Sequence, residues 1–142
     1  MNNPGYVASA RWWADAFTAD PKLADDLESS HRYEAACAAA LAAAGQGADA
    51  GRLDDQGRAR WRKQALEWLR ADLVANGKLL ASGKPEARPL VRQRLRHSQG
   101  DQQLAGLRES AAVARLPADE RDACQQLWAE AQALLTKAEA AE

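Results

Sequence analysis

Two pairs of adjacent carboxylates are the residues of this sequence that come nearest to a pattern for acid–base chemistry. Asp25 is followed by Asp26, and Asp54 is followed by Asp55. Neighbouring residues on a helix point in different directions, so neither pair predicts an acid–base dyad. Capping of a helix start, or simple solvation, is the favoured role of all four side chains.

The histidines and cysteines are equally weak candidates for a reactive or metal-binding site. His31 and His97 lack the partner pattern that is typical of zinc ligands. Cys37 and Cys124 lie far apart and neither belongs to a C-x-x-C pair, so we expect two buried thiols in a reducing, cytoplasmic compartment. The sequence therefore predicts no catalytic residue, no cofactor, no cofactor-binding residue and no metal ligand, and an enzyme is the least favoured class.

A basic ridge is the clearest charge pattern in the chain. Arg88, Arg92 and Arg96 recur at four-residue spacing, which places them on one side of a helix. Such a ridge could bind a phosphate group or an acidic peptide. The net charge of the chain is −1 and no aromatic residue interleaves the ridge, so nucleic-acid binding is unlikely. Pairing with carboxylates of neighbouring helices is the commoner outcome for such a run.

Five tryptophans must supply much of the buried surface, because large apolar residues are otherwise scarce. Trp12 adjoins Trp13, and the two cannot face the same side of a helix. Trp13 is assigned to the core, whereas Trp12, together with Tyr6, is a candidate partner-binding residue. The full predicted core consists of Trp13, Phe17, Tyr33, Leu41, Trp68, Leu69, Leu127 and Trp128.

Composition predicts that helices position all of these residues. Alanine fills 34 of the 142 positions and leucine 17, whereas valine, threonine and isoleucine together fill only 6. Alanine and leucine favour helices, and strands depend on β-branched residues, so an all-α fold is expected. No stretch approaches the roughly 20 apolar residues that a membrane helix needs, and no secretory signal is evident.

Caps and breakers divide the chain into a series of helices. The Asp20-Pro21 step, Gly45, Gly47 and the Ser82-Gly83 step are natural ends, and Ser29, Ser30 and the Asp54-Asp55 pair are candidate N-caps. The predicted helices cover residues 6–20, 31–45, 56–82, 85–98 and 117–139, with short turns near 22–27, 48–53, 101–107 and 109–115.

Three segments resemble tetratricopeptide (TPR) repeats. A-F-T-A-D-P over 16–21, with Trp13 before it, is similar to the end of a repeat. R-Y-E-A-A-C-A-A-A-L over 32–41 and Q-A-L-E-W-L-R-A-D-L over 64–73 are similar to the two helices of a further, divergent unit. This resemblance implies antiparallel helical hairpins stacked as an α–α superhelix.

The chain as a whole resembles the C-terminal region that follows TPR arrays in large planctomycete Ser/Thr protein kinases and related multidomain proteins. L-A-G-L-R-E-S-A-A-V-A-R-L-P over 104–117 and E-R-D-A-C-Q-Q-L-W-A-E-A-Q-A-L-L-T-K-A over 120–138 complete the match. No Gly-rich phosphate loop, H-R-D or D-F-G motif of a kinase domain is present. The resemblance implies a scaffolding or partner-binding role without catalysis.

These observations predict a disordered start over 1–4 and a single helical domain over 5–142, with TPR-like helices over 5–82 and capping helices over 83–142. The long closing helix is expected to seal the array. The favoured function is a non-enzymatic protein-interaction or array-capping module of a larger signalling protein. A purely structural terminus and a phosphate-binding arginine ridge are the alternatives.

The sharpest expectation concerns the first helix. It resembles the second helix of a TPR unit, and repeat helices bury their faces only against neighbours. We therefore expect an exposed apolar patch around Trp12 that docks on a protein, a peptide or upstream repeats, or that produces weak self-association.

Overall fold

The computed structural model describes residues 5–25 and 30–140. Throughout these residues the regular structure is helical and no strand occurs, which confirms the predicted all-α class. The predicted disordered start over 1–4 lies outside the described residues, as do Asp26 and the candidate cap Ser29. Within the same part of the chain, no helix combines the length and the apolar character required to cross a bilayer.

The helices begin and end close to the predicted positions. Short 3-10 turns cover Ala50–Arg52 and Gln102–Leu104, near two of the predicted turns. In chain order the α-helices are α1 (Tyr6–Ala19), α2 (Lys22–Asp25), α3 (His31–Ala43), α4 (Asp55–Ala81), α5 (Ala87–Gly100), α6 (Ala105–Arg108), α7 (Ser110–Val113) and α8 (Ala118–Glu139).

Local signals explain several of these ends. Gly45 and Gly47 follow α3 with φ angles of 83° and 92°, a conformation that side chains with a Cβ rarely adopt. Asp54 precedes α4, and its Oδ1 accepts a hydrogen bond from the backbone amide of Gly57 at 2.8 Å. Ser30 precedes α3, but its side chain makes no capping hydrogen bond to the helix.

The chain divides into two compact units, Met1–Leu69 and Arg70–Glu142. The boundary falls inside α4, whereas the sequence placed its internal boundary at residue 82. Because α4 runs without interruption over 27 residues, no helix end marked this division in the sequence.

In the first unit, α1 packs on α3 and alanine forms most of the interface. Val7 clusters with Ala42, near the end of α3, while the Trp13 ring contacts His31 at its beginning. Contacts in this opposite order show that the two helices run antiparallel. The buried alanines of α3 are Ala35, Ala36, Ala38, Ala39, Ala40, Ala42 and Ala43.

In the second unit, α5 packs on α8 around larger side chains. The Arg88 guanidinium reaches the carbonyl of Ala138, whereas Gln99 donates to Gln132. These contacts also run in opposite order, so α5 and α8 are antiparallel. The core between them contains Val91, Leu95, Ala131, Leu135 and Ala138, and Leu73, Leu79, Leu80, Trp128 and Leu134 pack at its edge.

Candidate functional site

The outer face of α1 carries a strongly exposed large apolar side chain, that of Trp12. Trp12 is 61% exposed, while Val7, Ala10 and Phe17 of the same helix are buried. The Trp12 ring meets the Trp13 ring edge-on, with centroids 4.8 Å apart and an interplanar angle of 80°. The structure therefore places the two adjacent tryptophans on different sides, with Trp12 toward solvent.

Trp13, which contacts the exposed indole of Trp12, belongs to a row of packed rings. The Trp13 ring lies 5.4 Å from Phe17 and 5.0 Å from His31, measured between ring centroids. Phe17 in turn meets Trp68 edge-on at 5.7 Å. Such pairs add about 0.5–1.5 kcal/mol beyond the area that they bury. Trp12 therefore contacts Trp13, whose ring is itself packed against Phe17 and His31.

The start of α1 is held by a side chain that is distant in sequence. Asp49 accepts hydrogen bonds from the backbone amides of Val7 and Ala8, at 3.2 and 2.9 Å. These are amides that a helix start leaves without an internal partner, and a negative charge is stabilising there. Sequence reasoning missed Asp49, because its only signal was a single acidic residue in a glycine-bearing loop.

Tyr6 is half-buried, and its predicted role in partner binding stays a prediction. Its half-buried ring packs against the cluster of Val7, Ala42 and Ala50. A Cβ added to Gly47 would lie 2.9 Å from Cδ2 of this ring, so the loop after α3 closes directly over it. The ring is therefore used inside the first unit.

The predicted core residues differ in how completely they are covered. Phe17, Leu69 and Leu127 are buried. The other five are half-buried: Trp13, Tyr33, Leu41, Trp68 and Trp128. Val91, Leu104 and Leu107 are fully buried and were missing from the predicted set.

The arginine ridge is used largely within the chain. Nη1 of Arg88 donates to the carbonyls of Lys137, Ala138 and Ala140, at 3.2, 3.1 and 3.0 Å. These carbonyls end α8, where a positive charge is favoured by the helix dipole. The guanidinium thus caps a helix, while its predicted role in binding an anionic partner stays a prediction.

The other two ridge residues differ in their contacts and exposure. Arg96 forms an ion pair with Glu139, with its Nε 3.1 Å from Oε2. Arg92 is half-buried on α5. Pairing with a carboxylate of a neighbouring helix, the commoner outcome for such a run, is therefore what the structure shows at Arg96.

A cleft of about 360 Å³ opens in the second unit between α6, α7 and α8. Trp128 forms one wall, and its Nε1 donates to the carbonyl of Leu107 at 2.9 Å. The Arg108 guanidinium lies 5.8 Å from the Trp128 ring centroid and donates to the carbonyls that end α5. The lining consists of Leu107, Arg108, Ser110, Val113, Ala114, Arg121, Cys124, Gln125 and Trp128.

The ionisable residues singled out in the sequence make structural contacts. Asp25 pairs with the buried guanidinium of Arg32. His97 lies 3.3 Å from a carboxylate oxygen of Asp101, one helical turn later, a partner that the sequence analysis missed. Among residues 5–25 and 30–140, no three His, Cys, Asp or Glu side chains come together in a way that could hold a metal ion.

Both cysteines are buried, and neither takes part in a disulfide. Cys37 is 3% exposed in α3, and Cys124 is fully covered in α8. Their burial agrees with the expectation of small apolar side chains.

No family model, curated protein or solved structure matches this chain. The resemblance to TPR repeats and to the region that follows them in planctomycete kinases therefore stays a prediction.

Proposed function

We propose that this protein is a non-enzymatic interaction module that docks a helix of a partner chain on the outer face of α1. The observation that carries this proposal is the exposure of Trp12, which is 61% accessible on a helix whose inner face is packed. Tryptophan is the residue type most enriched at binding hot spots, and its burial by a partner removes a large apolar area from water.

The surroundings of Trp12 support a recognition role because they are ordered before binding. The Trp12 ring contacts Trp13, which packs against Phe17, and Asp49 accepts hydrogen bonds at the start of α1. A residue that is already held in place loses little conformational entropy when a partner binds.

A helix is the partner that fits this surface best. Ala8 and Ala19 are exposed on either side of Trp12 along α1, and their short side chains allow a second backbone to approach closely. Trp12 would then insert between side chains of the partner helix. A TPR-like repeat helix would satisfy this requirement, and so would a helix of an unrelated signalling protein in the cytoplasm.

Affinity capture with the full chain tests the proposal. The immobilised wild type, Trp12→Ala and Val74→Ala are each exposed to an extract of cells that express the chain. Val74 is the matched control because, among the described residues, it is the large apolar residue besides Trp12 that is strongly exposed, at 54%, and it lies in the second unit.

We expect proteins that bind to the wild type and to Val74→Ala but not to Trp12→Ala. Identical sets of bound proteins for all three chains would overturn the proposal. Circular dichroism of the three chains checks that each one is folded.

The alternative of a phosphate-binding ridge has a separate test. Binding of the full chain to a DNA or RNA duplex at low salt, lost when Arg88, Arg92 and Arg96 are changed to glutamate, would favour it. Arg88 and Arg96 already contact residues at the end of α8, so we expect no such binding to DNA or RNA.

A further inference from the structure

The outer face of α1 has an order of residues that complements itself when it is reversed. Ala8, Trp12, Asp15 and Ala19 are all exposed. Their spacing of four, three and four positions places them in one row along the helix. The row has an alanine at each end. Between them lie a hydrogen-bond donor, the indole of Trp12, and an acceptor, the carboxylate of Asp15.

A second copy of α1, laid antiparallel on the first, matches this row. A two-fold axis between positions 13 and 14 sets Ala8 opposite Ala19 of the other copy, and Trp12 opposite Asp15 of the other copy. Two-fold symmetry repeats each of these contacts. The indole Nε1–H is a donor only and the carboxylate is an acceptor only, so the central pair is chemically complementary in both directions.

The charges on this face favour the same arrangement. Arg11 is exposed and lies next to Trp12, so the antiparallel copy brings it close to Asp15 of its partner. A parallel copy would instead set Asp15 opposite Asp15 and Arg11 opposite Arg11. Like charges that face each other are destabilising, whereas the antiparallel pair also aligns the helix dipoles favourably.

We infer that the partner of the α1 face is a second copy of this chain, bound through α1 in the antiparallel register described above. This inference rests on the proposed function, because it names the helix that docks on Trp12.

The predicted dimer is weak. With 14 residues, α1 is about 21 Å long, so the paired helices bury less than the roughly 1,200 Å² of a stable complex. A dissociation constant on the order of 10⁻⁴ M is expected.

Disulfide trapping tests the register in the full chain. Ala8→Cys is mixed with Ala19→Cys under oxidised glutathione, and each variant is also oxidised alone. Only Cβ atoms that approach within about 4 Å form the bond readily, and the natural Cys37 and Cys124 are buried, which keeps the background low. Thr18→Cys, exposed beside the row, serves as the control.

The mixture is expected to form a crosslinked dimer at least about tenfold faster than any single variant. Faster crosslinking of Ala8→Cys with itself would show parallel pairing and would overturn the inference. Equal rates for the mixture and for the Thr18→Cys control would also overturn it.

Sedimentation equilibrium separates this inference from the proposed function. The wild type and Val74→Ala should dimerise alike, while Trp12→Ala and Asp15→Arg should bind themselves about tenfold or more weakly. A wild type that stays monomeric at about 1 mM, with capture of another protein still dependent on Trp12, would refute the second copy alone. Dimerisation and capture that are both unchanged in Trp12→Ala would refute both.

Discussion

The two compact units pack a pair of antiparallel helices with different kinds of side chain. In the first unit, α1 packs on α3, and most of the buried residues of α3 are alanines. In the second unit, α5 meets α8 through Val91, Leu95 and Leu135. The buried side chains of α3 are therefore mostly short, whereas those between α5 and α8 include larger ones.

The two units also differ in where their aromatic residues lie. In the first unit Phe17 is buried, Trp13, Tyr33 and Trp68 are half-buried, and Trp12 faces solvent. In the second unit Trp128 packs against the Leu95 cluster, and its indole N–H is bonded to the carbonyl of Leu107. The first unit is therefore the one with a strongly exposed tryptophan.

The largest effect is expected from truncation of the aromatic residue in the second unit. Trp128→Ala should lower the free energy of unfolding by about 3 kcal/mol, through lost packing and an unpaired carbonyl at Leu107. Trp128→Phe, which keeps a ring and loses only the hydrogen bond, should cost about 1 kcal/mol. Urea unfolding monitored by circular dichroism measures both, and a loss below about 1 kcal/mol for alanine would show that Trp128 is not part of the core.

The next largest effect should come from enlarging an alanine in the first unit. Ala39 is fully buried, so Ala39→Leu should destabilise the chain by about 2 kcal/mol through overpacking. Ala44→Leu, at an exposed position just after α3, is the control and should change stability by less than about 0.5 kcal/mol. If the two leucine variants unfold at the same urea concentration, the space around Ala39 accommodates a leucine. The contrast between short buried side chains in the first unit and larger ones in the second would then not hold.

A smaller effect is expected from the arginine that caps α8. Arg88→Met keeps the aliphatic stem but loses the hydrogen bonds to three terminal carbonyls, so a cost of about 1 kcal/mol is expected. Arg115→Met, at an exposed position between helices, should be nearly neutral. Hydrogen exchange of the last turn of α8 should rise in the first variant alone, and unchanged exchange there would contradict the capping role.

The smallest effect on stability should come from Trp12, although its effect on binding is expected to be large. Trp12→Ala removes a side chain that is 61% exposed, so the free energy of unfolding should change by about 0.5 kcal/mol or less. Thermal unfolding at low protein concentration measures this. A loss comparable to that of Trp128→Ala would mean that the outer face of α1 serves stability rather than recognition.

Much of the helix pattern could be predicted, because the signals that end a helix are local. Gly45, Gly47 and the cap at Asp54 act on residues within a few positions of themselves, and the observed helix ends follow them. The divergent sides of Trp12 and Trp13 likewise follow from their adjacency on one helix.

Contacts between distant segments could not be predicted in the same way. Asp49 caps α1 across more than 40 positions of sequence, and Arg88 caps α8 at a similar separation. Nothing near either residue in the sequence identifies its partner.

The amino-acid sequence by itself determined the all-helical class, the approximate helix ends and the scarcity of large core residues, because helix propensity and capping depend on residue type and near neighbours. Only the tertiary structure decided which polar side chains hold the chain together. A side chain such as that of Asp49 acquires its distant partner only when helices meet.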